Sequence, residues 1–264
     1  MKSLKGKTVL VTGASSGIGE AFAKQFAAYG CHLVLTARSG DKLHQTAREL
    51  SSTYDIQATV ITADLSRQGA GRELAAAIWQ QQLNIDILIN NAGFGKWAGF
   101  LQETPDTYQD MIQLNTTALV ELSHLFLPHM LEKKSGGIIN IGSTGSFQPA
   151  PYIAVYCATK AFVLSFSEAL YGEYRDRGVT VTAVCPGNTE TAFFRVANAD
   201  TKGMPAATPE QVASEGISAF LKGKNYIVTG GWSNYLQSLS SRFLPRKAVI
   251  GIVAGMFRNR VSHG

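Results

Sequence analysis

Tyr156 and Lys160 are four residues apart in a helix-like stretch of the sequence, and this spacing suits acid–base chemistry. Side chains at positions i and i+4 share a helical face, so the phenol and the ammonium group point into one space. Because a free tyrosine has a pKa of about 10, it exchanges protons poorly at neutral pH unless a nearby cation lowers that pKa. We expect Lys160 to lower the pKa of Tyr156 and to bind sugar hydroxyl groups. For this motif alone, an ordinary pair on a helix surface is the alternative.

Ser143 comes just after a short apolar run at 138–141 that reads as a buried strand. Ligands of open α/β sheets bind at the carboxyl ends of the strands, where this serine would lie. Its hydroxyl could hydrogen-bond to a reacting oxygen and stabilise developing negative charge. The alternative role is an ordinary turn or helix-capping residue.

A glycine-rich turn with the sequence TGASSGIG, residues 12–19, joins the first predicted strand to the first predicted helix. Glycines there allow a tight turn and let a pyrophosphate approach backbone N–H groups at a helix N-terminus. The spacing is Gly-x3-Gly-x-Gly, and a plain tight turn is the alternative. We expect a dinucleotide to contact Gly13, Ser15, Ser16, Gly17, Ile18 and Gly19.

Arg38 ends the second predicted strand, where an NAD site usually carries Asp or Glu for the ribose 2′-hydroxyl. A guanidinium pairs with a 2′-phosphate, whereas a carboxylate repels it. The sequence therefore favours NADP(H). NAD is the lesser alternative, because Asp41 is close enough to bind the ribose, and the other alternative is that Arg38 is an ordinary surface arginine with no role in binding.

Short apolar runs alternate with longer amphipathic stretches along most of the chain. Nearly continuous apolar runs are typical of strands covered on both faces, so the sheet should be mostly parallel. The predicted strands are 8–12, 32–36, 57–62, 85–90, 138–141, 180–185 and 226–228, and the predicted helices are 17–29, 41–52, 69–82, 105–131, 152–177 and 209–221. This alternation predicts an α/β fold with a doubly wound seven-stranded sheet and helices on both faces. Residues 1–235 would form one domain, followed by a basic and apolar helical tail at 236–264.

Over residues 5–230 the chain resembles the short-chain dehydrogenase/reductase family. The resemblance rests on the glycine turn, Asn90-Asn91-Ala92-Gly93, Asn115, Ser143, Tyr156-x3-Lys160 and Pro186-Gly187, all in family order. It implies a Rossmann fold and a catalytic tetrad of Asn115, Ser143, Tyr156 and Lys160. It also implies that Asp64 and Leu65 lie near the adenine, that Asn91, Ala92 and Gly93 follow the cofactor, and that Pro186, Gly187, Thr189 and Thr191 border the nicotinamide.

The implied reaction is reversible hydride transfer between NADP(H) and a carbonyl or secondary alcohol. Ser143 would bind the substrate oxygen, Tyr156 would exchange its proton, and Asn115, at a helix interruption, would hold a water that joins Lys160 to solvent. The loops at 94–100, 147–152 and 193–204 are aromatic and carry few charges, which favours a lipophilic ketone or aldehyde. One alternative is a 3-ketoacyl-carrier-protein reductase, which would need a basic patch beside the pocket to bind the carrier protein, and Lys96 and Arg195 are the candidates for it. The other is a non-catalytic NADPH-binding sensor or scaffold.

Composition excludes several other classes. The chain has 264 residues, 45% of them hydrophobic and 16% charged, which argues against disorder. Three scattered cysteines cannot form a disulfide framework, and the histidine spacing offers no metal site. A reducing, cytoplasmic setting is expected. The net charge of +5 belongs to the C-terminal part, because residues 216–264 include seven basic and no acidic residues, and nucleic-acid binding is not expected.

Two partner predictions complete the sequence-based interpretation. By resemblance, the helices at 105–131 and 152–177 would form a homodimer or part of a tetramer. The apolar run at 248–257, flanked by basic residues, is too short to cross a bilayer. Apolar side chains occur almost all round this helix, so we expect them to be buried against protein. The alternative is a peripheral membrane contact, in which case part of the protein would be associated with a membrane.

Overall fold

The computed structural model describes residues 4–199 and 203–261. Seven parallel strands form a single sheet in the order β3-β2-β1-β4-β5-β6-β7. The strands are β1 (Thr8–Thr12), β2 (His32–Thr36), β3 (Ala58–Val60), β4 (Ile87–Asn90), β5 (Gly137–Ile141), β6 (Thr180–Pro186) and β7 (Tyr226–Thr229). The order reverses direction next to β1, which is the switch point of a doubly wound Rossmann fold, and the predicted fold class is confirmed.

Ten α-helices lie in the described part of the chain. They are α1 (Gly17–Ala28), α2 (Gly40–Tyr54), α3 (Ala70–Gln80), α4 (Pro105–Ile112), α5 (Ala118–Glu132), α6 (Ala154–Tyr174), α7 (Phe193–Val196), α8 (Pro209–Leu221), α9 (Trp232–Phe243) and α10 (Arg246–Arg258). None of these described helices is both long and apolar enough to cross a membrane. The described residues also contain no cluster of three or more His, Cys, Asp or Glu side chains that could hold a metal.

The sheet has a separate apolar core on each face, which explains the continuous apolar runs of its strands. One core joins Val9, Val11 and Leu35 to α1, α2 and α8, with Phe22 and Phe220 fully enclosed. The other joins the opposite faces of the strands to α3 and α5. Because helices cover both faces of the parallel sheet, its strands do not alternate between buried apolar and exposed polar residues.

Two predicted helices have different limits in the structure. The helix expected at 105–131 is interrupted by a π-helical turn, Gln113–Thr117, because Asn115 bonds to the backbone of a neighbouring loop. The helix expected from residue 152 begins at Ala154, since Tyr152 has a φ of 71° and cannot continue a right-handed helix. The short helix α7 was not predicted. The helical tail predicted at 236–264 is divided into α9, which begins earlier, at Trp232, and α10.

The C-terminal extension packs on the body of the protein through α10. Val249 and Val253 are buried in one cluster with Trp97, and the ring of Phe257 meets the Trp97 ring edge-on with centroids 4.7 Å apart. The other side of α10 stays exposed, including Ile252 and Met256. Docking on protein is therefore observed for one face of this helix, and the expectation that its apolar residues are buried almost all round is wrong. Residues 262–264 of the predicted tail lie outside the described residues.

Candidate active site

One cleft of about 380 Å³ opens at the carboxyl ends of the strands. Segments that follow β1, β2, β4, β5 and β6 converge there, which is how a doubly wound sheet assembles a ligand site. Most residues predicted for the site line this cleft: Gly13, Ser15, Ser16, Gly17, Ile18, Arg38, Asp64, Leu65, Asn91, Ala92, Gly93, Ser143, Tyr156, Lys160, Pro186, Gly187, Thr189 and Thr191. Gly19 and Asn115 are the two predicted residues that do not line it.

The glycine turn is shaped to bring backbone close to a ligand. Gly13 has a φ of 65°, a conformation that residues with a Cβ rarely adopt. Gly19 has no room for a side chain, because a Cβ there would lie 2.3 Å from the carbonyl oxygen of Gly13. The Asn91 amide fixes the turn by donating to the carbonyl oxygens of Thr12 (2.9 Å) and Gly13 (3.2 Å). Gly19 thus supports the turn from behind, and the N-terminus of α1 is left facing the cleft, as a pyrophosphate requires.

Arg38 and Asp64 stand together at the adenine-side end expected for a dinucleotide. Arg38 is exposed and lines the cleft. Burial raises the pKa of Asp64, but hydrogen bonds from Ser66 and the charges of Arg38 and Arg67 outweigh that effect, so the pKa falls below its usual value. The carboxylate of Asp64 is therefore ionised at neutral pH, and the guanidinium of Arg38 remains available to an anionic group in the cleft. Asp41 does not line the cleft.

Ser143, Tyr156 and Lys160 converge at the inner end of the cleft. Ser143 starts a 3₁₀ turn, Thr144–Ser146, after β5, while the other two side chains project from the first turns of α6. Lys160 is buried, and its Nζ donates to the carbonyl oxygen of Ile141 at 2.8 Å. The same Nζ lies 5.7 Å from the centre of the Tyr156 ring. The i, i+4 spacing thus places the ammonium group and the phenol on one helical face, as predicted.

The pKa of Tyr156 does not follow the sequence-based expectation. Burial raises the pKa of Tyr156 above its usual value, and the hydrogen bond with Ser143, which acts in the opposite direction, does not offset it. Burial also lowers the pKa of Lys160 to about 8. The expectation that the pKa of Tyr156 lies below its usual value is therefore wrong for the protein without ligand, because loss of hydration outweighs the effect of any neighbouring charge. At neutral pH the phenol holds its proton.

Asn115 supports the site from behind the cleft wall. Its side-chain amide donates to the carbonyl oxygen of Phe94 at 2.9 Å and to the Thr159 hydroxyl at 3.0 Å, and its Oδ1 accepts from the N–H of Phe94 at 3.1 Å. These bonds join the π-turn, the loop after β4 and α6. Both donors of the side-chain amide are used in this way, and the role of Asn115 in holding a water between Lys160 and solvent stays a prediction.

The segment after β6 is held by neighbouring elements. Thr189 is buried, and its hydroxyl donates to the carbonyl oxygen of Gly187 at 3.2 Å. The Thr191 hydroxyl accepts from the N–H of Phe193 and so positions α7. Asn234 of α9 lies so close to Gly187 that a Cβ there would come within 2.3 Å of the asparagine amide. The first turn of α9 therefore also supports the nicotinamide end expected of the cleft.

Comparison with known proteins identifies this arrangement. The sequence pattern described as short chain dehydrogenase matches residues 7–202. The chain belongs to the short-chain dehydrogenase/reductase family. A short-chain dehydrogenase from Sphingobium yanoikuyae, solved in complex with NADPH, is similar in structure, with a TM-score of 0.81, 31% identity and 98% of each chain covered.

Two relatives of this short-chain dehydrogenase/reductase have names that point in different directions. The rat protein named inactive hydroxysteroid dehydrogenase-like protein 1 is 31% identical over 91% of this chain and 73% of its own length. The bovine very-long-chain 3-oxoacyl-CoA reductase is 33% identical over 72% of this chain and 62% of its own length. Membership of the family thus shows an oxidoreductase fold and a nicotinamide-type cofactor site. Activity and substrate depend on this chain's own residues.

The outer half of the cleft in this family member is apolar. Its wall comes from the three predicted loops and from the extension, and consists of Phe94, Trp97, Ala150, Ile153, Phe193, Phe194, Val196, Val253, Met256 and Phe257. Positions 200–202 of the predicted 193–204 loop lie outside the described residues. Sequence reasoning missed Leu114 and Gln237 as lining residues, and for Gln237 the polar face of α9 was the available signal. Gln148 is the polar exception, since its buried Oε1 has no hydrogen-bond partner among the described residues.

All three cysteines are free and buried. Burial raises the pKa of the Cys31, Cys157 and Cys185 thiols to about 12. Although Cys157 borders the cleft next to Tyr156, its sulfur packs against Gly145 and stays protonated. It is therefore a packing residue and not a nucleophile.

Proposed function

We propose that this chain is an NADP(H)-dependent oxidoreductase that reduces a lipophilic ketone or aldehyde to the alcohol, with the reverse oxidation available. The observation that carries the proposal is the convergence of Ser143, Tyr156 and Lys160 on a cleft whose outer wall is apolar. A bound NADPH would supply the hydride. The glycine turn and the N-terminus of α1 suit its pyrophosphate, and the exposed Arg38 suits its 2′-phosphate.

The protein's own groups account for the proton in this reaction. The Ser143 hydroxyl donates a hydrogen bond to the substrate oxygen and stabilises the negative charge that develops there. Tyr156, protonated at neutral pH because burial raises its pKa, then gives its proton to that oxygen. The ammonium group of Lys160 stabilises the tyrosinate that remains. A tyrosine that keeps its proton at neutral pH is in the form that a general acid of carbonyl reduction requires.

The substrate class follows from the cleft wall. Aromatic and aliphatic side chains surround the outer cleft, which suits a bulky apolar body such as a hydroxysteroid, a long 3-ketoacyl chain or an apolar xenobiotic. The name of the bovine relative supports an acyl chain. The unpartnered Oε1 of Gln148 offers one acceptor for a substrate hydroxyl or amide N–H.

A carbonyl panel followed at the nicotinamide absorbance with NADPH and NADH tests this proposal. We expect turnover of apolar ketones with NADPH, and loss of nearly all turnover in Tyr156→Phe, with NADPH still bound. Near-normal turnover by the Tyr156→Phe variant would contradict the proposed mechanism.

The rat relative's name favours a second candidate, a non-catalytic NADPH-binding protein. The complete set of Ser143, Tyr156 and Lys160 in one cleft argues against it, since binding alone requires no acid–base pair. Tight NADPH binding without oxidation by any carbonyl of the panel would support this candidate. A 3-ketoacyl-carrier-protein reductase is the third candidate, and efficient turnover of carrier-bound substrate only would support it.

We also propose that the chain forms a homodimer through α4, α5 and α6. The exposed side chains on these helices include Ile112 and Phe162, and the Phe162 ring stacks on Phe166 with centroids 5.8 Å apart. Light scattering at micromolar concentration tests this, and a monomeric mass would contradict it. Three free thiols suit a reducing compartment such as the cytoplasm, which fractionation of cells would test.

A further inference from the structure

Helix α9 presents its apolar face to the outside of the molecule. Trp232, Leu236 and Phe243 are 78%, 62% and 81% exposed, and their spacing puts them along one side of the helix. The inward side carries Asn234, whose amide bonds to the carbonyl oxygens of Thr229 and Gly230, and the buried Ser238. An amphipathic helix of a globular protein normally has the opposite orientation. The outer face of α9 thus exposes three large apolar side chains with no role in the protein's own core.

The apolar surface continues beyond α9. Leu244 follows it directly, and Ile252 and Met256 lie on the exposed side of α10. We call the exposed side chains of Trp232, Leu236, Phe243, Leu244, Ile252 and Met256 the apolar ridge. Exposed basic residues accompany the ridge, namely Arg242, Arg246, Lys247 and Arg258. No acidic residue occurs in the sequence from 216 to 264, and among the described residues no ion pair joins these four basic side chains to a carboxylate.

We propose that the apolar ridge binds the surface of an anionic lipid membrane as a peripheral contact. Apolar side chains insert into the acyl boundary while basic residues remain among the anionic headgroups. Trp232 suits this setting, because its ring is amphipathic and favours the interface. No described helix spans a bilayer, so the attachment is a surface contact and not a membrane crossing.

Charge decides between a membrane and a second copy of the chain as the occupant. In a symmetric contact of the ridge with itself, the Arg242, Arg246 and Lys247 side chains of one copy would face those of the other. No acidic residue of the extension is available to separate them. An anionic membrane satisfies the same positive charges and also buries the apolar side chains.

The two sides of α10 connect this surface to the cleft. Val253 and Phe257 line the cleft, Ile252 belongs to the ridge, and Met256 reaches both. The mouth of the cleft therefore lies beside the membrane contact, where an apolar substrate could enter from the lipid. This link rests on the proposed function, whereas vesicle binding requires neither cofactor nor turnover and can be measured separately.

Co-sedimentation with vesicles tests the proposal on the full-length protein. The probes are vesicles of phosphatidylcholine alone and of phosphatidylcholine mixed with phosphatidylglycerol. We expect binding to the mixed vesicles that weakens steeply as salt is raised, since surface charges are screened. Leu236→Ser combined with Phe243→Ser should abolish it. Arg246→Glu combined with Lys247→Glu should weaken it at least about tenfold.

Lys222→Glu combined with Lys224→Glu is the matched control, since it makes the same charge change just before β7, at the amino end of the sheet and away from the cleft. This variant should bind as the unmodified protein does, and circular dichroism should confirm that all variants fold. Failure of the unmodified protein to bind mixed vesicles at low salt would overturn the proposal. Equal weakening of binding by the control variant would also overturn it. So would the finding that the protein is a dimer which dissociates only in the Leu236→Ser, Phe243→Ser variant, because the ridge would then bind a second copy of the chain.

Discussion

Ser146 is joined to Lys160 by a 2.7 Å hydrogen bond from its hydroxyl to the backbone carbonyl oxygen of Lys160. The same hydroxyl oxygen accepts from the N–H of Ser143 at 3.2 Å. A single buried side chain thus ties the loop that carries Ser143 to the helix that carries Tyr156 and Lys160. This link joins the two segments that carry the proposed catalytic residues.

Replacing Ser146 by Ala should lower kcat roughly tenfold by loosening this link, with little change in NADPH affinity, and should cost about 1–3 kcal/mol of stability. Steady-state kinetics and urea unfolding measure the two effects. Ser167→Ala is the control, because Ser167 is also buried, lies in α6, and also makes two hydrogen bonds, with Val163 and Asn140. It should lose similar stability and keep its kcat. Equal kcat in both variants would show that Ser146 is a structural residue only.

Replacing Arg38 by Asp should reverse or abolish a preference for NADPH. A charge-assisted contact with the 2′-phosphate is worth roughly 1.5–3 kcal/mol, which corresponds to about ten- to a hundredfold in affinity. Titration with both cofactors measures it. Arg67→Asp is the matched control, because its charge also acts on Asp64 while it does not line the cleft. Equal use of both cofactors by the unmodified protein would contradict the prediction.

Replacing Lys160 by Met should change how stability depends on pH. Burial lowers the pKa of Lys160 to about 8, whereas the unfolded value is about 10.4. Below pH 8 the buried charge carries its full cost. As pH rises from 8 to 10.4 the folded protein loses this proton first, so the unmodified protein should gain roughly 3 kcal/mol relative to the Met variant. Urea unfolding of the cofactor-free proteins at several pH values measures the difference.

Lys24→Met is the control for this experiment. A hydrogen bond to Glu20 raises the pKa of Lys24, so its stabilising contribution is lost, and not gained, at alkaline pH. A stability difference between unmodified protein and Lys160→Met that stays constant from pH 8 to 10.4 would show that the folded and unfolded pKa values of Lys160 are equal.

Replacing Phe257 by Ala should raise KM for an apolar carbonyl severalfold while NADPH affinity stays unchanged. The ring packs edge-on against Trp97 and lines the outer cleft, so its loss loosens α10 over the substrate. Phe243→Ala makes the same change at an 81% exposed position of the extension that does not line the cleft. In the absence of vesicles it should leave KM unaltered. A normal KM in Phe257→Ala would show that α10 does not contribute to substrate binding.

The sequence by itself determined the sheet and the chemical groups of the site. Strands such as Ile87–Asn90 are apolar runs bounded by polar residues, and their burial on both faces follows from that pattern. The spacing of Tyr156 and Lys160 is a local property of a helix, so it needed no tertiary information. Arg38 and the glycine turn were also found in this way, because each lies at a strand end that periodicity locates.

Only the tertiary structure decided the properties that depend on contacts between distant segments. The pKa of Tyr156 rises because the folded chain removes water from the phenol, an effect that no local spacing of charges reveals. The π-turn at Asn115 forms because the loop after β4 supplies hydrogen-bond partners 21 positions away along the chain. The outward face of α9 is likewise set by Asn234, which binds the end of β7, and not by the apolar pattern of the helix. Burial and long-range hydrogen bonds are shared between segments, so their balance exists only once the chain has folded.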